Sequence, residues 1–251
     1  MNPTQSSTES PFRDRPPLGD EAAVEILATG ELEVLGRMPW SSNMTFLVDV
    51  HAPNTPIVQG VYKPVKGERP LWDFPAGLHK REIAAFELAG TLGWDLVPPT
   101  VLRDGPLGEG SVQLYVPTDY DEHYFTLREE PAHHRWFQRL CAFDFIINST
   151  DRKGGHILLG HDGRLYAIDN GLSFHCEFKL RTVIWEWAGE PLPPDLADDI
   201  GRLLTDGLPP GVTDLLTLLE RDALMTRASA LVSENRFPVD PSGRRHPWPL
   251  V

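Results

Sequence analysis

Residues 148–173 read NSTDRKGGHILLGHDGRLYAIDNGLS and place two aspartates on two short apolar runs that a turn separates. The first run, residues 157–159, follows Asp151 and His156, and the second run ends at Asp169. The Asp-Gly pair between the runs is a strong signal for a β-hairpin. A hairpin would bring His156 and Asp169 to the same end of the ribbon, beside Asp151.

A carboxylate base beside two metal-capable side chains is an arrangement that suits phosphoryl transfer. One group acts on the acceptor hydroxyl, and the others hold a magnesium-type ion on the phosphates. We therefore expect the ribbon to carry a catalytic and metal-binding site. The alternative is an ordinary surface hairpin flanked by turn aspartates, and other motifs of the chain bear on the choice.

Length and composition restrict the classes of protein to which the chain can belong. Its 251 residues, 41% hydrophobic, suffice for one large domain or two lobes. The formal net charge of -13 argues against a broad nucleic-acid footprint and against charge-driven binding to anionic lipid. Two cysteines cannot form a structural zinc site alone, and no signal peptide or membrane-spanning run is evident. We expect a cytoplasmic monomer that binds no nucleic acid and has no stable membrane anchor.

Hydrophobic periodicity predicts strands first and helices second, which corresponds to an α+β fold. Residues 1–20 are rich in serine, proline and charge and predict a disordered tail. Residues 21–116 predict an N-lobe sheet with one helix inserted after the third strand, and residues 117–251 a mainly helical C-lobe. The predicted strands lie near 32–35, 45–50, 57–63, 100–103 and 110–116, and the predicted helices near 22–27, 78–92, 134–147, 195–205 and 213–232.

Lys63 and Glu82 form a second candidate constellation. Lys63 ends a predicted strand, and Glu82 lies in the helix that follows it. A strand lysine paired with a helix glutamate is the device by which kinases hold the phosphates of the nucleotide. In isolation the pair is also compatible with a solvated surface ion pair. The spacing to the aspartates further along the chain favours the kinase interpretation.

Several motifs lie in the order found in a known family. The stretch AIDNGLSF (167–174) and the triplet TDR (150–152) resemble the metal-binding and catalytic motifs of phosphatidylinositol 3-/4-kinase-related enzymes. GSVQLYV (110–116) resembles the hinge strand of type II phosphatidylinositol 4-kinases, the closest type. REIAAF (81–86) and WDLVPPT (94–100) resemble that family's glutamate helix and following turn, and a Trp-Glu-Trp segment at 185–187 falls where the family is aromatic-rich. The likeness covers roughly half of the chain, which as a whole is similar to actinobacterial atypical kinase-like proteins.

The resemblance implies a two-lobed kinase-like fold, ATP with Mg²⁺ or Mn²⁺ as cofactors, and a role for each matching residue. Lys63 would contact phosphates and Glu82 would orient it, while Asp151 would act on the acceptor hydroxyl. Asp169 would bind the metal that bridges the phosphates. The residues implied to contact the nucleotide base are Gln113, Leu114, Tyr115, Val116 and Ile168.

The chain departs from the family pattern at three points. His156 stands where the second metal ligand is usually asparagine, and imidazole suits softer ions than magnesium, so a preference for manganese is expected. The loop over the phosphates is not glycine-rich, but Ser41, Ser42 and Asn43 offer hydroxyl and backbone groups that could cap a phosphate. The cysteine-rich palmitoylation segment of the lipid kinases is missing.

We therefore expect an atypical kinase whose acceptor is an unidentified protein, polyol or inositol-type hydroxyl. Two other functions remain open from the sequence. A nucleotide-binding pseudokinase with a regulatory or scaffold role would fit His156 and the glycine-poor loop. A kinase-fold enzyme that transfers AMP would release pyrophosphate instead of ADP.

Overall fold

The computed structural model describes Phe12, Asp14, Pro16 and residues 18–39 and 43–251. Most strands lie in the first half of this range and most helices in the second, which confirms the α+β prediction. The strands are β1 (Glu31–Arg37), β2 (Phe46–His51), β3 (Val58–Pro64), β4 (Thr100–Gly105), β5 (Gly108–Leu114), β6 (Ile157–Leu159) and β7 (Leu165–Ala167). The helices are α1 (Asp20–Thr29), α2 (Leu78–Thr91), α3 (Tyr124–Leu127), α4 (His134–Ile147), α5 (Pro194–Asp206), α6 (Pro210–Thr213) and α7 (Leu218–Glu234).

The first five strands form an antiparallel sheet in the order β1-β2-β3-β5-β4. Helix α1 packs against it through the buried side chains of Ala23, Ile26 and Leu27, which join an apolar cluster with residues of all five strands. At the centre of the sheet, β3 lies beside β5, and Lys63 pairs with Ser111 across the two strands. This pairing places the candidate lysine next to the strand that leads into residues 113–116.

Helix α2 occupies the predicted position after the third strand and packs against β4, β5 and α6. Its apolar side chains, among them Ala84, Ala85 and Leu88, belong to the large core cluster of the helical half of the chain. Ile83 and Glu82 are buried on the same helix. Helix α2 therefore joins the sheet to the helical core and holds Glu82 at the junction.

The helix predicted over 213–232 is wrong at its beginning. Helix α6 ends at Thr213, and a separate helix, α7, begins at Leu218. Thr217 caps α7: its hydroxyl accepts from the backbone N–H of Glu220, and the Glu220 carboxylate accepts from the backbone N–H of Thr217 at 2.9 Å. This reciprocal pair of hydrogen bonds satisfies amide groups at the start of α7. A new helix therefore begins there, although the residues before it also have a helix-forming composition.

Arg152 is a fully buried cation that ties three segments of the helical half together. Its Nε donates to Oδ1 of Asp144 on α4 at 3.0 Å. One terminal nitrogen donates to the carbonyl of Ile168 at 2.7 Å, and the other donates to the side-chain oxygen of Asn170. A buried ion pair is tolerated when hydrogen bonds satisfy its remaining polar atoms, as they do here. The loop between α4 and β6 and the segment after β7 are thus held in a fixed relative position.

Within the described residues, no helix combines the length and the apolar composition that crossing a bilayer requires. Helix α1 begins at Asp20, the last residue of the predicted tail, and most of that tail lies outside the described residues. The predicted lobe boundary at residue 116 falls shortly after β5 and stays a prediction.

We expect Arg152→Ala to lower the free energy of unfolding by about 3–5 kcal/mol, because the carboxylate of Asp144 would stay buried without its cation. Urea denaturation followed by circular dichroism measures the change. Arg202→Ala on α5 is the matched control, since its side chain is 63% exposed and its loss should cost less than about 0.5 kcal/mol. Equal midpoints for the two variants would contradict the structural role of Arg152.

Candidate functional site

Lys63 lies near the end of β3 with its ammonium group between two carboxylates. Nζ donates to the carboxylate of Glu82 on α2 and to Oδ1 of Asp169, 3.0 Å away. Burial alone would lower the pKa of Lys63, but the charges of Asp169 and Glu82 raise it well above its ordinary value. Lys63 is therefore a permanent cation that joins the sheet, α2 and the segment after β7.

Glu82 connects both halves of the molecule through its two carboxylate oxygens. Oε1 accepts from Lys63, and Oε2 accepts from the backbone N–H of Asn170 at 2.9 Å. The side chain is 4% exposed, so these donors replace water around a buried carboxylate. The next residue, Gly171, approaches α2 closely: a Cβ there would lie 3.3 Å from Oε1 of Glu82 and 3.4 Å from Leu78.

Asp169 projects a half-exposed carboxylate into the cleft. Its backbone adopts the left-handed conformation, with a φ of 59°, which is uncommon for residues other than glycine and is a feature of functional sites. Oδ1 accepts from Lys63, and Oδ2 lies 3.5 Å from Nε2 of His156. The charge of Lys63 holds the pKa of Asp169 well below its usual range, so the carboxylate is ionised.

His156 lies at the base of the hairpin, facing Asp169. Its Nδ1 accepts from the backbone N–H of Lys153 at 3.4 Å, which leaves Nε2 directed toward Asp169. Burial lowers the pKa of His156 to about 4, so the ring is neutral at pH 7, the form in which imidazole binds metal ions. In this arrangement Nε2 carries the ring proton, and a metal there would require the other tautomer.

Asp151 lies in the loop between α4 and β6, and its Oδ2 is 3.2 Å from Nζ of Lys153. Burial raises the pKa of Asp151, the charge of Lys153 opposes this rise and that of Asp169 adds to it. A carboxylate with a raised pKa is a better proton acceptor. Asp151, His156 and Asp169 line one cavity of about 420 Å³ together with Lys63. The hairpin thus places the three residues together, as its spacing predicted.

A second cavity, of about 710 Å³, shares Lys63, His156 and Asp169 with the first and extends to the end of β5. All of the predicted base contacts line it: Gln113, Leu114, Tyr115, Val116 and Ile168. Leu158, also in the lining, packs with Val116 in a small apolar cluster on the helical side. A volume of this size and an apolar lining are typical of small-molecule sites.

The backbone N–H groups of residues 114–116 differ in whether they have a hydrogen-bond partner within the protein. The N–H of Leu114 donates to the carbonyl of Pro99 at 2.8 Å, and that of Tyr115 donates to the carbonyl of Gln59 at 2.9 Å. The N–H of Val116 has no hydrogen-bond partner among the described residues. Val116 is therefore the residue of this group whose amide can donate to a ligand.

The predicted phosphate loop is described only in part. Ser41 and Ser42 lie outside the described residues, and Asn43 lines the 420 Å³ cavity. The side-chain oxygen of Asn43 accepts from the backbone N–H of Arg69 at 3.0 Å, so Asn43 holds the segment after β3 in place.

The donor set for a metal ion is incomplete within the protein. In the part of the chain that the structure describes, no three His, Cys, Asp or Glu side chains converge to hold an ion. Asp169 and His156 supply two donor atoms, and magnesium or manganese prefers six ligands, mostly oxygen. Phosphate oxygens and water would have to supply the others, so the residues fit an ion that binds together with a nucleotide.

Glu68 is a cleft residue that the sequence analysis missed. Its carboxylate accepts from the backbone N–H groups of Gly77 and His79, at 3.0 and 2.8 Å, and from Nδ1 of His79 at 2.7 Å. The hydrogen bonds to His79 and Gly77 outweigh the effect of burial and lower the pKa of Glu68 to about 2. Glu68 thus caps the start of α2, the helix that carries Glu82. No local sequence signal marks it, because Glu68 lies nine and eleven positions before the residues that donate to it.

The chain resembles one curated protein closely and several solved structures in fold. No family model matches it. Protein Rv2133c from Mycobacterium tuberculosis is 40% identical over 272 aligned residues, which cover 92% of this chain and 95% of that protein.

Among solved structures, the Golgi casein kinase with Mn and ADP bound has a TM-score of 0.59 at 15% identity, covering 92% of this chain and 80% of its own. Hydra Fam20 with sugar has a TM-score of 0.52 at 13% identity, covering 86% and 87%. These likenesses confirm the predicted kinase-like fold. They do not support the predicted closeness to type II phosphatidylinositol 4-kinases.

We expect Glu68 to contribute stability that depends on pH. Its pKa in the folded protein, about 2, lies below the ordinary value of 4.5, so the contribution is complete above pH 4.5 and is lost as the pH falls toward 2. The full shift corresponds to about 3 kcal/mol. The difference in unfolding free energy between the native chain and Glu68→Gln should therefore shrink as the pH is lowered from 5 to 3. Glu190→Gln, in an exposed loop, is the control; a pH-independent difference for Glu68→Gln would refute the assignment.

Proposed function

Because the chain belongs to the same family as the Mycobacterium tuberculosis protein Rv2133c and has the fold of atypical kinases, we propose that it transfers the γ-phosphoryl group of ATP to a hydroxyl group. One observation carries the proposal: Lys63 contacts both Glu82 and Asp169 in a cleft that also contains Asp151. A scaffold protein needs none of these contacts, whereas a kinase uses each of them.

ATP would bind across the two cavities. The base occupies the 710 Å³ cavity, where the free N–H of Val116 donates to it and Leu158 and Ile168 pack on its faces. The phosphates then extend to Lys63, whose ammonium group is already oriented by Glu82. Because this geometry exists before the nucleotide binds, little reorganisation is required on binding.

The reaction follows from the position of Asp151. The acceptor oxygen forms a bond to the γ-phosphorus, the bond from that phosphorus to the bridging oxygen breaks, and ADP leaves. The hydroxyl proton passes to Asp151, whose raised pKa makes it a competent acceptor. Lys153, 3.2 Å from Asp151, supplies a positive charge beside the transferred group.

Asp169 would hold a divalent ion, Mg²⁺ or Mn²⁺, which neutralises charge on the phosphates. His156 is the candidate second ligand through Nε2, which lies 3.5 Å from Oδ2 of Asp169. Because imidazole suits manganese better than magnesium, we propose that manganese is the preferred ion.

A pseudokinase is the second candidate function. Both aspartates of the cleft already have partners within the protein, Asp151 with Lys153 and Asp169 with Lys63 and His156. A protein that only binds nucleotide could retain such contacts as internal structure. Turnover separates the two functions, and the nature of the product separates phosphoryl transfer from AMP transfer.

We expect metal binding to depend on the nucleotide, because Asp169 and His156 supply too few ligands alone. Isothermal titration of Mn²⁺ should show weak binding to the free protein and at least about tenfold tighter binding with ADP present, a difference of about 1.4 kcal/mol. Mg²⁺ should show the same dependence with lower affinity. Asp169→Asn should abolish the effect of ADP, and Asp198→Asn, on the exposed side of α5, should retain it. Tight Mn²⁺ binding without ADP would contradict this geometry.

We expect Asp151→Asn to lower the transfer rate by about 100-fold or more and to leave the affinity for ADP and Mn²⁺ nearly unchanged, because Asp151 acts on the acceptor and not on the nucleotide. ADP release is measured with ATP, Mn²⁺ and a mixed pool of polyols and proteins. Asp198→Asn again serves as the control. Release of pyrophosphate would identify AMP transfer, and nucleotide binding without any turnover would favour the pseudokinase.

A further inference from the structure

A groove of about 800 Å³ lies beside the catalytic cleft and is not used by ATP in the proposed reaction. Its walls are the segments 72–75, 175–181 and 244–245. Leu71 lines the cleft and the following residue, Trp72, lines the groove, so the two spaces adjoin. The indole of Trp72 is almost fully exposed at the rim.

Backbone hydrogen bonds hold one wall of the groove directly against Asp151. The N–H of Arg181 donates to the carbonyl of Ser149 at 2.8 Å, and the N–H of Arg152 donates to the carbonyl of Arg181 at 3.0 Å. The two residues that Arg181 contacts therefore flank Asp151 on either side. The charge of Arg181 is near enough to lower the pKa of Asp151, against the larger effect of burial.

The groove is rich in positive charge although the whole chain has a formal net charge of -13. Nζ of Lys179 lies 3.6 Å from Oδ2 of Asp73, and Nε of Arg245 lies 3.7 Å from Oδ1 of Asp240. These two cations therefore have acidic partners. The full set of charged residues in its lining is Asp73, Glu177, Lys179, Arg181, Arg244 and Arg245.

Arg181 and Arg244 differ from the other cations of the groove. Neither guanidinium has a hydrogen-bond or ion-pair partner among the described residues. Both side chains line the same concave surface, so an anion bound there is attracted by two positive charges. Guanidinium groups match phosphate oxygens in a planar, bidentate geometry.

The position of Arg244 is fixed by the C-terminal segment. The N–H of Thr182 donates to the carbonyl of Arg245 at 3.1 Å, and the N–H of Arg245 donates to Asp240 at 2.8 Å. The guanidinium of Arg245 lies 4.6 Å from the ring centre of Phe178. The C-terminal segment is thus held to the groove at Arg245, the residue after Arg244.

We propose that the phosphoacceptor is itself a phosphate ester, a sugar or polyol phosphate whose phosphate binds Arg181 and Arg244 while its hydroxyl reaches Asp151. This inference rests on the proposed function, because it assigns the acceptor of the same reaction. The two unpaired cations match the double negative charge of a phosphate monoester. Trp72 offers an apolar surface for the remainder of the molecule. The phosphate can belong to a free sugar or to a lipid headgroup.

The test is a calorimetric titration of the native chain, first with ADP and Mn²⁺ and then, on the loaded protein, with glucose 6-phosphate and myo-inositol 1-phosphate. Arg181→Ala combined with Arg244→Ala should weaken binding of the esters at least about tenfold and leave ADP binding unchanged. Lys66→Ala combined with Arg202→Ala removes the same charge outside the groove and should have no effect on either ligand. An unchanged melting temperature of each variant without ligand shows that folding is intact.

A second arm uses phosphatidylcholine vesicles with and without phosphatidylinositol 4-phosphate, whose headgroup carries a phosphate monoester. Binding that requires this lipid and both arginines supports the proposal and assigns the phosphate to a lipid headgroup. Binding of neither soluble esters nor these vesicles overturns it, as does equal binding by the double arginine variant. An acidic peptide that binds where phosphate esters do not also overturns it.

The proposed function and this inference fail in different ways. If ADP does not bind, the kinase assignment fails, and inorganic phosphate titrated without nucleotide still tests the groove. Binding of inorganic phosphate that depends on Arg181 and Arg244 would then support a phosphate site without a kinase reaction. If ADP binds and phosphate does not, only the acceptor assignment fails.

Discussion

The carboxylate of Glu82 is the constraint on which the rest of the site depends. A buried carboxylate requires donors, and Glu82 takes one from Lys63 on the sheet and one from the backbone of Asn170 on the helical side. One side chain of α2 therefore contacts both halves of the molecule. The side chains of Lys63 and Asp169 meet because Glu82 binds the ammonium group of Lys63 and the backbone N–H of Asn170, the residue after Asp169.

Charges around this point are arranged to keep each group in one protonation state. Lys63 is stabilised as a cation by two carboxylates, and Asp169 as an anion by Lys63. His156 is neutral because it is buried, although it faces a carboxylate. Asp151 alone has a pKa raised by its surroundings among the carboxylates of the cleft whose shift is resolved. Lys63, Asp169 and His156 thus each keep one protonation state, and Asp151 is the group suited to proton transfer.

This chain resembles the solved kinase structures in fold much more than in sequence. The Golgi casein kinase covers most of this chain at 15% identity, so the shared architecture does not depend on particular core residues. The motif resemblance to lipid kinases indicated the correct fold class because it rested on the hairpin and the lysine–glutamate pair. The solved structures do not support the subgroup that it indicated, and short motifs such as those of β5 and of the turn after α2 also follow from the strand and the turn they form.

The sequence alone determined the features that depend on local chemistry: the strands and α2, the hairpin that brings His156 to Asp169, and the position of 113–116 at and just after the end of β5. Only the tertiary structure decided which backbone amide of 113–116 is free, that Glu68 caps α2, and that Arg181 lies beside Asp151. These features depend on hydrogen bonds between segments separated in the chain. Periodicity and spacing do not report them, because they describe each segment before its neighbours are known.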